Sequence, residues 1–306
     1  MEHTPKVNIV LATYNGEKHV KNQIDSILAQ DYANFHLYIR DDGSKDHTVK
    51  ILKDYENADP RVHVLETKEN LGVPDSFYEI LRQCDDGDYY AFADQDDVWE
   101  SFKIRRAVEA LEKEDGGLPL MYCSSFAYYE GEDTYIRDFD LTREVNLYNS
   151  IYFTPALGFT LVFNETLRKM ALRNTMGIKK DEWGELHDRR FLRVAALFGK
   201  VICDPCVSAK HIRHMDAVTS ADSDNMGLLG GWLKNELFGR DLLIQQVGIQ
   251  KFINDFKEEL QENDLKVLEF FAHTGHGWKK VFYPHRLRQR WSGEILLRIL
   301  FFFHKA

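Results

Sequence analysis

Along the first third of the chain, short apolar runs of strand length alternate with stretches whose apolar residues recur at helical spacing. Residues 7–12 (VNIVLA) predict a buried first strand, and the turn-forming Thr13, Tyr14, Asn15 and Gly16 follow it. Residues 17–29 then place Val20, Ile24, Ile27 and Leu28 on one helical face. A second strand is expected at 35–40, ending in Asp41, Asp42, Gly43 and Ser44. A helix follows over 45–55 with Val49, Leu52 and Tyr55 turned inward. The rhythm continues with a strand at 62–65, a loop at Asn70-Leu71-Gly72, a helix at 76–82, a strand ending at Ala93 and a helix at 102–113. Later strand-like runs are 120–129 and 157–163, and helical patterns open at Arg189 and again beyond Trp232.

Strand, helix, strand, helix at this spacing predicts a parallel sheet covered by helices on both faces. Right-handed crossovers put the C-terminal ends of such strands on one edge, where ligands bind in open α/β sheets. Two acidic clusters fall at strand ends on that edge: Asp41-Asp42, and the group Asp94, Asp96 and Asp97 after the aromatic run 89–93. Three carboxylates within four residues repel one another, and a divalent cation would remove that cost. The competing reading is a solvated turn.

Composition narrows the function classes. A net charge of −10 on 306 residues argues against nucleic acid as the main partner. The four cysteines, Cys84, Cys123, Cys203 and Cys206, are scattered without a metal-site pattern and read as reduced thiols in a cytoplasmic protein. The opening residues are polar, so no signal peptide is expected, and no apolar stretch is long enough to span a membrane. The first turn lacks the Gly-x-Gly-x-x-Gly dinucleotide fingerprint, and no Gly-x-x-x-x-Gly-Lys-Ser/Thr loop is present. An acidic cluster with a metal is a different way to hold a diphosphate, and it favours a nucleotide-diphosphate substrate whose diphosphate departs.

The ordered motifs Thr13-Tyr14-Asn15-Gly16-Glu17, Asp41-Asp42-Gly43-Ser44-Lys45-Asp46, Asn70-Leu71-Gly72 and Asp94-Gln95-Asp96-Asp97-Val98-Trp99 resemble those of the family-two inverting glycosyltransferases. The last, with Lys103-Ile104 after it, is similar to bacterial rhamnosyltransferases of cell-wall and capsular polysaccharide synthesis. The resemblance implies an α/β GT-A fold: a Rossmann-like, mostly parallel central sheet flanked by helices, with a C-terminal helical extension. The implied domain plan is a transferase domain over 1–230 (nucleotide-binding half 1–115, acceptor half 116–230) and a helical region over 231–306.

By the same resemblance, Thr13, Tyr14, Asn15, Glu17, Asn70 and Gln95 bind the nucleotide sugar, Asp42 accepts a hydrogen bond from the base and Asp94 is the ribose-side acid. Asp96 and Asp97 share the part of metal ligand, joined by His214, and the metal is Mn²⁺ or Mg²⁺. In the His187-Asp188 pair, Asp188 is the general base that takes the acceptor hydroxyl's proton, and its other reading is a helix N-cap. His187 and Trp183 would touch the acceptor, Trp183 as a stacking platform or else as a pin for its loop. Relatives carry aromatics where this chain has Arg189-Arg190.

The implied donor is dTDP-rhamnose and the acceptor a glycan or lipid-linked glycan. The alternatives are a UDP-hexose or UDP-N-acetylhexosamine donor, or a scaffold that binds a nucleotide sugar without catalysis. The tail has its own chemistry: residues 279–306 carry a net charge of +6 together with Trp291, Ile295, Leu296, Ile299, Leu300 and Phe301. Basic plus aromatic amphipathic character predicts a helix lying peripherally on anionic lipid at the cytosolic face, or one packing on the domain or on a twin subunit in a homodimer.

Overall fold

The structure, a computed structural model, describes residues 4–67, 69–130, 133–135, 144–152, 154, 156–176, 186–212, 241–273, 275, 277–289 and 291–302. Strands β1 (Val7–Thr13), β2 (Phe35–Asp41), β3 (Val62–Val64) and β4 (Tyr89–Ala93) form the parallel block the periodicity predicts. The short β5 (Asp97–Trp99), then β6 (Leu120–Glu130), β7 (Asp133–Tyr135), β8 (Leu161–Asn164) and β9 (Lys200–Ile212) complete one sheet. Its order is β3-β2-β1-β4-β8-β6-β9-β5, with β7 beside β6. β8 runs antiparallel to both β4 and β6, and β5 antiparallel to β9. The run 157–163, expected as one strand, begins instead as a 3₁₀ turn over Gly158–Thr160 and only then enters β8.

Helices α1 (Val20–Leu28), α2 (Thr48–Ala58), α3 (Asp75–Gln83) and α4 (Lys103–Leu111) connect the early strands. Both faces of the sheet are covered, so strands read as nearly continuous apolar runs. In β4, Tyr90 and Phe92 join one core cluster while Ala91 and Ala93 join the other. The second cluster holds Val20, Ile24 and Ile27 of α1 against Ile9 and Leu11. Each such fully buried aliphatic side chain contributes roughly 1.5–3 kcal/mol. In α2 Leu52 is buried, but Val49 faces solvent, contrary to the helical-face expectation.

Beyond the 3₁₀ turn the chain forms α6 (Glu165–Ala171), preceded by the short α5 (Leu147–Ser150), and then α7 (His187–Phe198). The helical C-terminal region comprises α8 (Asp241–Phe256), α9 (Glu262–Ala272), α10 (Gly277–Val281) and α11 (Trp291–Phe302). Its Phe252, Phe256, Phe271 and Leu300 lie in the same core cluster as Phe191 and Phe163. Arg190 of α7 is fully buried and reinforces this contact. It donates to Asp255 Oδ2 at 2.8 Å and to the carbonyls of Ala171 and Arg173 at 2.7 Å each. Arg190, which follows the His187-Asp188 pair, is thus part of the body's scaffold. Among the described residues, no helix is long and apolar enough to cross a membrane.

Candidate active site

The register of the parallel block brings the motifs together. Thr13 at the end of β1 pairs with Asp41 of β2 on one side, and Leu11 pairs with Ala93 of β4 on the other. The two acidic clusters therefore flank the end of β1, on the single edge that the crossover argument predicts.

Around Asp41 and Asp42 most polar groups are spent on shaping the rim. Thr13 Oγ1 donates to Asp41 Oδ1 at 3.0 Å, and Asp41 Oδ2 accepts from the amides of Gly43 and Ser44 at 3.1 and 2.8 Å. Asp42 is buried and ion-paired with Arg40, and it accepts from the amides of Leu71 and Gly72 at 2.7 and 2.6 Å. The carboxylate expected to meet the base is thus also held by the chain itself, with Arg40 two residues upstream in β2 as its cation. Asn70 Nδ2 donates to the Asp42 carbonyl at 2.6 Å, which ties the Asn-Leu-Gly loop to β2. Asn15, at φ 49°, accepts from the Lys45 amide at 2.9 Å, and Glu17 Oε2 accepts from the His47 amide at 2.9 Å. These contacts tie the residues after β1 to those after β2.

Gln95 clamps the opposite lip. Its Oε1 accepts from the Tyr14 amide at 2.9 Å and its Nε2 donates to the Tyr14 carbonyl at 3.1 Å. Gly16 makes room for the clamp: a Cβ there would stand 2.4 Å from Gln95 Oε1. The Tyr14 ring is left 47% exposed, a free aromatic face at the rim.

The acid cluster divides into two kinds. Asp97 lies in β5, is buried, and pairs across the strands with His211 of β9, whose Nδ1 sits 2.7 Å from Asp97 Oδ1. Burial pushes the Asp97 carboxyl up to about 6, against the pull of His211 and of buried Lys103. Lys103, in turn, is lowered to about 7 by its own burial. Burial also works against a charged His211, but the hydrogen bond and charge of Asp97, then the charges of Asp96 and Asp94, hold it above the usual imidazole value. The His211 ring stacks on Phe159 at 5.3 Å.

Asp94 and Asp96 are half-buried and make no hydrogen bond or ion pair among the described residues. Burial, then the charges of Asp97, Asp96 and Asp188, hold the Asp94 carboxyl well above the usual carboxylate range. Carboxylates from the end of β4, from β5 and from the start of α7 therefore share one electrostatic neighbourhood.

Asp188 occupies the first turn of α7, is buried, and has its Oδ1 2.7 Å from the following amide nitrogen of Arg189. The N-cap position belongs to Leu186, so the capping role is not the one Asp188 fills. His187 departs from its expected place against an acceptor. Its ring is buried, stacked on Phe77 at 4.1 Å and edge-on to Phe92 at 4.6 Å. Neither ring nitrogen has a hydrogen-bond partner among the described residues, and burial lowers its pKa to about 3. Gly158 admits the ring, since a Cβ there would meet His187 Nε2 at 2.9 Å. Trp183 and His214 lie outside the described residues.

His211 is a residue to which sequence reasoning gave no role. Its signal is the Asp97–His211 strand pair, and β5 is only three residues long and follows a sequence that reads as a turn. As for a metal, no group of three ligating side chains is gathered among the described residues. A cation bridged to diphosphate oxygens needs only one or two carboxylates from the protein, and the unpartnered Asp94 and Asp96 fit that mode.

The model of Glycosyl transferase family 2 matches residues 8–172, more than half of the chain. The dTDP-rhamnosyl transferase RfbG of Shigella flexneri is 33% identical over 105 residues, 33% of this chain and 36% of that protein. An Escherichia coli protein, UDP-Glc:alpha-D-GlcNAc-diphosphoundecaprenol beta-1,3-glucosyltransferase WfgD, is 28% identical over 165 residues, 53% of this chain and 61% of that one. The first curated relatives are matched over only 35% to 42% of their own length. Among solved structures, S. aureus TarS 1-349 in complex with UDP-GlcNAc superposes with a TM-score of 0.61 at 20% identity, covering 92% of this chain and 76% of that one. The Pyrobaculum calidifontis mannosyltransferase PcManGT, in complex with GDP-Man and Mn²⁺, gives 0.57 at 18% identity over 90% of this chain and 72% of that one. These neighbours share the GT-A-like architecture expected from the motifs: a mostly parallel sheet flanked by helices, with a helical C-terminal region. Motifs, fold and matched residues agree: the chain belongs to glycosyl transferase family 2.

Proposed function

We propose that the protein is an inverting, metal-dependent transferase that moves rhamnose from dTDP-rhamnose to a lipid-linked glycan on the cytoplasmic side of a membrane. The observation that carries the reading is the convergence of Asp94, Asp96 and Asp188 in one electrostatic neighbourhood beside the nucleotide rim. The rim formed by Tyr14, Gln95 and the Asp42-anchored loop receives the nucleoside. Asp96, with Asp94, would hold Mn²⁺ or Mg²⁺, and the His211 ring, held by Asp97, stands beside them. When bound, the cation offsets charge building on the departing diphosphate.

The chain's own chemistry is a single displacement. An acceptor hydroxyl oxygen bonds to the anomeric carbon as that carbon's bond to the diphosphate oxygen breaks. Asp188 takes the hydroxyl proton, and the nucleoside diphosphate leaves with the bonding pair. The buried surroundings of Asp188 keep water from competing for that position.

The rhamnose donor is favoured by the likeness to RfbG and by the Asp-Gln-Asp-Asp-Val-Trp motif. A UDP-hexose or UDP-N-acetylhexosamine donor is the second reading, favoured by the names of WfgD and of the TarS complex. Calorimetric titration of dTDP-rhamnose against UDP-sugars in Mn²⁺ separates them: tighter binding of a UDP-sugar removes the rhamnose assignment. Asp188→Asn tests the base. Turnover should fall roughly 10²–10⁴-fold with donor affinity retained, and unchanged turnover would overturn the assignment.

A further inference from the structure

We infer that the C-terminal aromatic ridge is a docking surface for an anionic lipid bilayer, with the arginine-lined pocket beside it meeting lipid phosphates. Helix α11 has two apolar faces. Leu296, Leu297, Leu300 and Phe301 are buried in the core, while Trp291, Ile295, Ile299 and Phe302 are exposed. Helix α10 and the residue after it add Trp278 and Phe282 to the exposed side. Trp278 stacks on Phe282 at 6.1 Å and meets Phe302 edge-on at 4.8 Å, so residues from both helices form one surface. Phe282 is 74% and Trp291 68% exposed, while single exposed apolar residues elsewhere are ordinary.

Charge selects the occupant. Lys279 is exposed at the ridge, and the Arg286 guanidinium lies 4.2 Å from the centre of the Trp291 ring. Arg286 also lines the adjoining cavity of about 310 Å³ together with Arg288, His285, Tyr148 and one acid, Glu144. The acid on α11, Glu294, is turned inward. It accepts from Arg298 Nε at 2.7 Å and from the amides of Leu287 and Arg288 at 2.8 Å, so its charge is used inside the fold. The ridge thus presents indole and phenyl groups edged by bases, the composition of a surface that settles at headgroup depth. A two-fold interface with a second copy would press these basic rims against each other, whereas an anionic bilayer complements them. No described helix can span a bilayer, so the surface lies on the membrane rather than crossing it. The inference goes beyond the donor reading and stands without it, although such a surface would bring the site to a lipid-linked acceptor.

Flotation of the full chain with vesicles tests this without donor or acceptor. Vesicles of phosphatidylcholine containing phosphatidylglycerol should bind at least about tenfold better than phosphatidylcholine alone, and less well as salt rises. The exposed-site variant Phe282→Glu/Trp291→Glu should lose binding about tenfold or more while its circular dichroism and nucleotide affinity stay unchanged. Arg286→Ala/Arg288→Ala should lower the preference for phosphatidylglycerol. Equal binding to both vesicle types, or flotation of Phe282→Glu/Trp291→Glu like the parent, overturns the inference. So does a dimer in sedimentation that the same variant dissolves while neither protein floats. Retained nucleotide binding in these samples keeps this outcome separate from a failure of the donor reading.

Discussion

Replacing His187 by phenylalanine should change how stability depends on pH. The imidazole lies between Phe77 and Phe92, and burial alone lowers its pKa from 6.5 to about 3. In the unfolded chain it titrates near the ordinary value. As pH falls below about 6.5 the unfolded state gains a proton that the folded state refuses, so stability is lost at about 1.4 kcal/mol per pH unit until about pH 3. Between about pH 7.5 and 5 this amounts to roughly 2 kcal/mol. Asp97 acts in the opposite direction: its carboxyl, raised to about 6, takes a proton first in the folded state and adds stability as pH falls. Only the difference between parent and variant therefore isolates His187. Phenylalanine keeps a ring between the two aromatics and removes the titration. Urea unfolding at several pH values should give His187→Phe a stability gain over the parent that widens by about 2 kcal/mol from pH 7.5 to 5. Parallel curves would refute the reasoning, because they would mean that the folded protein protonates this ring as readily as the unfolded chain does. Nucleotide binding should be retained, since the residue packs the start of α7 rather than touching the rim.

Three further outcomes follow from the same geometry. Arg40→Met leaves the buried Asp42 carboxylate without its cation and should cost about 3–5 kcal/mol, read as a lowered unfolding midpoint. Gly16→Ala puts a methyl group against Gln95 Oε1 and should break the clamp on Tyr14, weakening nucleotide affinity about tenfold by calorimetry with little change in thermal stability. Asp96→Asn should abolish the gain in donor affinity that Mn²⁺ gives, while Asp97→Asn should weaken that gain and also lower the unfolding midpoint, because Asp97 holds His211 inside the fold. Equal effects of the two substitutions on both readouts would remove the distinction between ligand and positioning residue.

The alternation of apolar runs and helical faces was enough to place β1 to β4 and their helices, because a sheet covered on both sides writes itself as short continuous apolar stretches. That the Asp41-Asp42 and Asp94-Asp96-Asp97 clusters share one edge of the sheet followed from the handedness of the crossovers, and the strand order β2-β1-β4 set them around the end of β1. The ordered motifs carried the family. Local sequence left open which carboxylates are spent and which are available, since that depends on partners far along the chain. Asp97 meets His211 across 114 positions, Asp42 meets the Leu71 and Gly72 amides, and the interior takes His187 although the resemblance put it against the acceptor. The two faces of α11 were equally illegible, because both are apolar, and only packing against Tyr152 and Phe271 decided which one turns inward. Periodicity records that a side chain avoids water or tolerates it, but the identity of its neighbour is a property of the closed fold.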